Sequence, residues 1–169
     1  QSSTETPPST PTDTGARIAD GKVYVNNGFW DTYRTTWAAY SLLDSRTAGE
    51  LVDGFVQQYR DGGWIARWSS PGYANLMTGT SSDVSFADAY VKGVQGFDAL
   101  DAYDAALKNA TVAPPGGDPF DPSVGRKGLV NSLFLGYTPD RVGEGVSWAL
   151  EGDINDFGIA NMAKLLAAD

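Results

Sequence analysis

Apolar residues recur along this chain mostly with the helical period, and only briefly with the two-residue alternation of a strand. The cleanest run is Ala48, Leu51, Val52, Phe55, Val56 and Tyr59, at i, i+3, i+4, i+7, i+8 and i+11, which predicts one amphipathic helix. Thr47 and Glu50 stand at capping-box spacing at its start, and Gly62-Gly63 stops it. An earlier helix is predicted from Trp30 to about Leu43, and the short connection makes the two an antiparallel pair. A third is predicted at about Asp83–Val94, capped by Ser81 or Ser82, and a fourth at about Phe97–Asn109, with Leu100, Tyr103 and Leu107 on one side. A fifth, about Val124–Leu135, carries Leu129, Val130, Leu133 and Phe134 as its stripe. The last, about Gly145–Ala167, is apolar over much of its circumference. Val146, Leu150, Ile154 and Phe157 lie on one side and Trp148, Ile159 and Met162 on another, which suits a helix packed on several sides.

The rest of the chain is punctuation. Residues 1–15 are Ser/Thr/Pro-rich and read as a linker or a long surface loop; Ile18 and Lys22–Asn26 alternate briefly and predict a short strand. The division expected is 1–28, a loop with a short extended segment, and 29–169, a helical domain. Two long loops, Trp64–Thr80 and Ala113–Ser123, fall between helices as the walls of a cleft would. The fold class is all-α: hairpins pairing first with second, third with fourth and fifth with sixth, with no sheet of substance. Such a series builds either a bundle or an arc of an α/α barrel; no repeat supports a solenoid.

Composition narrows the chemistry. A chain of 169 residues with 41% hydrophobic content and five Trp has enough apolar surface for a core. The net charge of −9 disfavours nucleic acid and gives no basic face for anionic lipid, and no run approaches a membrane span. There is no Cys, hence no disulfide or thiolate site, and no His, hence no Ser-His-Asp triad. Acid–base work at neutral pH falls to carboxylates, Lys or Tyr, and any metal would be an oxygen-bound Ca²⁺ or Mg²⁺. The chain starts at Gln1 and shows no signal peptide, so it is expected to be a processed form or an excerpt. Asn109-Ala-Thr111 matches a glycosylation sequon, read as chance unless the source is eukaryotic.

Candidate chemistry starts at Gly28-Phe-Trp-Asp-Thr-Tyr-Arg-Thr-Thr-Trp37. On one helix Trp30, Tyr33 and Trp37 share a face, with Asp31 and Arg34 beside it. Flat rings with a carboxylate and an arginine fork at their edge suit a polar ring such as a sugar: the rings cover C–H faces and the charged groups take hydroxyls. The same stripe also suits a core. Trp64, Arg67 and Trp68 repeat the Trp/Arg pairing in the first long loop, where the alternative is that the rings plug the loop onto the helices. Asp83 sits where a first-turn carboxylate favours the helix dipole; Asp88 shares a face with Val84 and Val91, so it is either paired or at a site. Glu151 lies on the Trp148 side of the last helix, or else is an ordinary acid near a helix start.

Five segments in order, Phe29–Thr36, Gly62–Trp68, Leu76–Asp83, Ala87–Gly93 and Gly145–Asp156, resemble the α-mannosidases of glycoside hydrolase family 92, and the actinobacterial members most. The resemblance implies a partial (α/α)6-barrel catalytic domain and calcium-dependent, inverting, exo-acting hydrolysis of α-mannosides, commonly α-1,2 linked. It also implies a bacterial protein, secreted or at the cell surface, whose partners are a mannose-containing glycan and the rest of a longer parent chain. Neither the family's Glu-Gly-Asn-Ala-Trp-like acid motif nor its later Asp-rich base motif occurs here, so no catalytic residue and no calcium ligand is assigned, and the segment alone is expected to be inactive. What carries over is sugar binding: Asp31 on mannose hydroxyls, Trp30, Arg34, Trp64, Arg67 and Trp68 lining or bracing the pocket, Asp83 and Asp88 at its mouth or behind it, and Glu151 as a further member. These rings and acids are expected to converge on one pocket for a hexose. The competing class is a non-catalytic helical carbohydrate-binding or scaffold module; a terpene-cyclase-like barrel is disfavoured because no Asp-rich magnesium motifs are visible.

Overall fold

A computed structural model describes residues 20–24, 26–70, 72–116 and 118–168, so the Ser/Thr/Pro-rich stretch 1–15 and Ile18 lie outside the described residues. The element order is β1 (Asn27–Gly28), α1 (Phe29–Thr32), α2 (Thr36–Leu43), α3 (Ser45–Gly62), β2 (Trp68–Ser69), β3 (Tyr73–Ala74), α4 (Ser82–Val91), α5 (Ala99–Thr111), α6 (Leu129–Leu135) and α7 (Gly145–Leu166). The three two-residue strands form one small antiparallel sheet in the order β1-β2-β3, with Gly28 opposite Trp68 and Trp68 opposite Ala74. It pins the loop after α3 to the segment that feeds α1.

The single helix expected over Trp30–Leu43 is two helices. The chain breaks at residues 33–35, where Thr35 leaves helical geometry with φ −135° and ψ −87°. Threonine hydroxyls take carbonyls of the turn before the break: Thr32 donates to Gly28 O at 2.9 Å and Thr35 to Asp31 O at 3.3 Å. The break therefore separates two rings that an unbroken helix would place on one face. Trp37 turns into the core, stacked on Phe29 at 5.3 Å and edge-on to Phe55 and Phe86 at 5.9 Å, while Trp30 turns away toward α7. These four rings, with Val52, Val56 and Ile65, form the centre of the core.

Helix α3 buries Ala48, Val52, Phe55 and Val56 as its period predicts. Its cap is Asp44, which accepts from Thr47 N at 3.1 Å, rather than the Thr47/Glu50 box; Glu50 instead faces Arg46 at 3.4 Å. Gly63, at φ +79°, closes it in the left-handed geometry that glycine adopts without strain. Helix α5 buries its alanines, Ala102, Ala105 and Ala106; of the predicted side, Tyr103 packs partly buried against the core, while Leu100 and Leu107 turn outward. Small side chains let the neighbouring helices approach, which outweighs burying two leucines against nothing.

The last helix departs most from the expected pairing. The principal neighbours of α7 are α4 and then α5, not α6. Gly158 makes this possible: a Cβ there would stand 2.9 Å from Val84 Cα, so α7 and α4 meet backbone to backbone. Helix α6 is short because Gly128 at φ +69° starts it late, and its Val130, Leu133 and Phe134 face outward. Val146, Leu150, Ile154 and Phe157 form a second outward stripe along α7.

Candidate functional site

Helices α1 and α7 meet at one carboxylate. Glu151 is 8% exposed, and its Oε1 accepts from Trp30 Nε1 at 3.1 Å and from Arg34 Nη2 at 3.1 Å. Arg34 also donates to Trp30 O at 3.4 Å, and its guanidinium lies 4.9 Å from the Trp30 ring centre and 4.5 Å from that of Tyr33. Burial, and then the neighbouring Glu151, raise the Tyr33 hydroxyl above its ordinary pKa against the opposing charge of Arg34. Glu151 Oε2 is buried without a hydrogen bond of standard geometry. Asp31, next to Trp30 in α1, is exposed. Accessible at this end are thus a half-exposed guanidinium, a partly exposed indole and a carboxylate, the set that the sequence assigned to a sugar.

One turn before Glu151, Trp148 carries the second cluster. The Arg67 guanidinium stacks 4.9 Å from the Trp148 ring centre. Its Nη2 donates to Asn75 Oδ1 at 2.8 Å and to Pro122 O at 2.7 Å, joining the first long loop to the second. Asn75 passes the tie to Asp121 at 2.7 Å, and Lys127 holds Asp121 at 2.7 Å, keeping that carboxyl below its ordinary pKa. Burial lowers Arg67 to about 10, with Asp121 opposing. Arg67 therefore braces loops and does not reach solvent.

Asp83 is the hub of a third group. It is 1% exposed and accepts from Thr80 Oγ1 at 2.7 Å, Asn109 Nδ2 at 2.8 Å and Arg126 Nη2 at 3.4 Å. Arg126 is also paired with Asp156 at 2.7 Å. Burial pushes the Asp83 carboxyl up to about 6 although Arg126 and these hydrogen bonds pull it down. Asp83 is thus an internal tie among α4, α5, α7 and the segment just before α6. Asn109, the sequon residue, is buried in the same tie.

The remaining candidates lie apart. Asp88 is partly buried, paired with Lys92 at 2.6 Å, and lines a groove of about 450 Å³ between α4 and α7 with Val84, Val91, Phe157 and Leu165. Trp64 is buried, with the Lys108 ammonium 4.7 Å from its ring centre. Trp68 packs its ring on Gly28, where any Cβ would overlap it. Of the residues expected to line one hexose pocket, Trp30, Arg34 and Glu151 come together with Asp31 exposed beside them, whereas Arg67 braces loops and Asp83 is an internal tie. Arg126 lies in a stretch that the sequence predicts as helix; in the structure residues 124–128 precede α6, with Gly125 and Gly128 at φ +62° and +69°, and two glycines three apart are the sequence signal for it.

The arrangement has known counterparts. The chain aligns with the family GH92 inverting mannosidase BT2199 of Bacteroides thetaiotaomicron at a TM-score of 0.67 and 26% identity, over 86% of this chain and 22% of that one. Its helical hairpins are accordingly part of an (α/α)6 barrel. Residues 4–169 match the glycosyl hydrolase family 92 catalytic domain, and the chain belongs to that family. It is also 36% identical over 105 residues to an uncharacterized secreted glycosidase of Arthroderma benhamiae, a match covering 54% of this chain and 13% of that protein. The chain thus spans well under two thirds of the length of either relative.

Proposed function

We propose that this chain works as a segment of an exo-acting, inverting α-mannosidase, secreted or at the cell surface of a bacterium, and contributes sugar contacts from α1. The observation that carries the reading is the Trp30–Arg34–Glu151 cluster with Asp31 exposed beside it, in a chain of family 92. Asp31 accepts mannose hydroxyls, Arg34 donates to them, and Trp30 covers a C–H face. An α-1,2 linkage follows the family resemblance. A secreted location is supported by the secreted glycosidase relative; among the described residues no helix is long and apolar enough to cross a membrane.

Inversion needs an acid on the leaving oxygen and a base on water, with carboxyls about 6.5–9.5 Å apart. Both are assigned to the remainder of the parent chain, so this segment binds and positions. Calcium is proposed for the parent enzyme only. Among the described residues no three acidic side chains gather within reach of one ion.

The test is hydrolysis of an α-mannobiose by the full-length enzyme, followed by proton NMR. β-Mannose appearing first supports the reading; release of the α anomer, or binding without hydrolysis, replaces it, the latter with the carbohydrate-binding module. In the active enzyme, Asp31→Ala raises KM about tenfold or more with a smaller loss in kcat, as expected for a lost charged hydrogen bond. Unchanged KM and kcat remove Asp31 from the site.

A further inference from the structure

We infer that Glu151 is a positioning residue of the sugar-contacting end of α1: it fixes the orientation of Trp30 and Arg34 and does not itself touch the glycan. The inference deepens the proposed function and rests on it. Three observations carry it. One oxygen of Glu151, Oε1, accepts from both Trp30 Nε1 and Arg34 Nη2, at 3.1 Å each. Its other oxygen is buried and shut off from solvent, so no hydroxyl of a bound sugar reaches it without rearrangement. Third, the fold makes room for the side chain at this depth. Gly79, at φ +77°, lies so close that a Cβ there would stand 2.8 Å from Glu151 Cβ.

The partners have the opposite character. The Arg34 side chain is 47% exposed, and its Nη2 donates to Trp30 O and Glu151 Oε1. Its plane is set by the rings of Trp30 and Tyr33 and by the Glu151 anchor. An indole and a guanidinium held in fixed planes lose little rotamer freedom when a sugar binds, which favours affinity. The carboxylate reaches them from α7, more than a hundred residues away, so it also locks α1 to the last helix.

The experiment uses the full-length enzyme labelled with 5-fluorotryptophan and needs no substrate for its first reading. The resonance missing in Trp30→Phe is that of Trp30. In Glu151→Ala it shifts or broadens; in Glu151→Gln, whose side-chain carbonyl still accepts the indole N–H, it stays at the native position. With an α-mannobiose, Glu151→Ala raises KM at least tenfold while kcat stays within about threefold. A native Trp30 resonance with KM within twofold in the folded Ala variant overturns the inference. So does a loss confined to kcat, which would put Glu151 in the chemistry, or a Gln variant whose resonance moves as Ala's does. A parent enzyme that hydrolyses no α-mannoside overturns the proposed function instead, and the fluorine reading still stands on its own.

Discussion

Asp83 keeps its carboxylate in the protein interior with the donors Thr80, Ser82, Asn109 and Arg126 around it, and its protonation is set by burial more than by Arg126. The folded pKa of about 6 lies above the ordinary aspartate value of 3.8, so the folded chain holds this proton more tightly than the unfolded chain. Asp83's contribution to stability is therefore fully present below pH about 4 and is lost as the pH rises through about 6. The shift corresponds to about 3 kcal/mol across that window, as an order of magnitude. Asp83→Asn removes the titration. Melting temperatures of the two proteins compared from pH 4 to 7.5 should show the Asn variant gaining on the native protein as the pH rises. A gap that stays constant with pH would mean that Asp83 is not the titrating group.

Among the elements, the α4–α7 contact depends on glycine placement. Gly158→Ala puts a methyl 2.9 Å from the Val84 Cα, against backbone that cannot swing aside. The two helices must separate slightly, at a cost of about 1–3 kcal/mol. Gly152, six residues earlier on α7, is the control, because a Cβ there meets only Arg126 Nη1, at 3.8 Å. Gly152→Ala is expected to be neutral or to stabilise by up to about 1 kcal/mol through helix propensity. Urea midpoints of the two variants check the contrast; equal midpoints would place the close approach elsewhere. The break between α1 and α2 has a similar logic, since it lets Trp37 serve the core and Trp30 serve the surface.

For the molecule as a whole, the outward stripe of Val146, Leu150, Ile154 and Phe157 on α7 and the outward Leu133 and Phe134 on α6 matter most. The solved family 92 relative extends well beyond this length, since this chain covers 22% of it. Exposed apolar faces of this size favour association. The 169-residue chain produced alone is expected to self-associate, and Leu150→Lys with Phe157→Lys to reduce that in light scattering. The same double substitution in the full-length enzyme is expected to lower its melting temperature by several degrees. No loss there would mean that the stripe faces water in the parent protein too.

Much of this was legible in the sequence, for identifiable reasons. Helical periods gave α3, α4, α5 and α7 to within a few residues, because burying an amphipathic face fixes which positions are apolar. The ordered motifs pointed to family 92, and the family match agrees. Trp30, Arg34 and Glu151 were singled out as candidates by residue type, and they meet. Leu100 and Leu107 misled, because helical period marks a face as apolar without saying which neighbour covers it.

Local pattern along the chain thus determined the elements, the all-α class and the short list of chemical residues, since each depends on residues within a turn or two of one another. Only the tertiary structure decided that Arg67 and Asp83 are internal ties, that α7 lies on α4, and that Glu151 holds Trp30 and Arg34. Those outcomes depend on close approach and burial between segments as much as 121 residues apart, which no local period encodes.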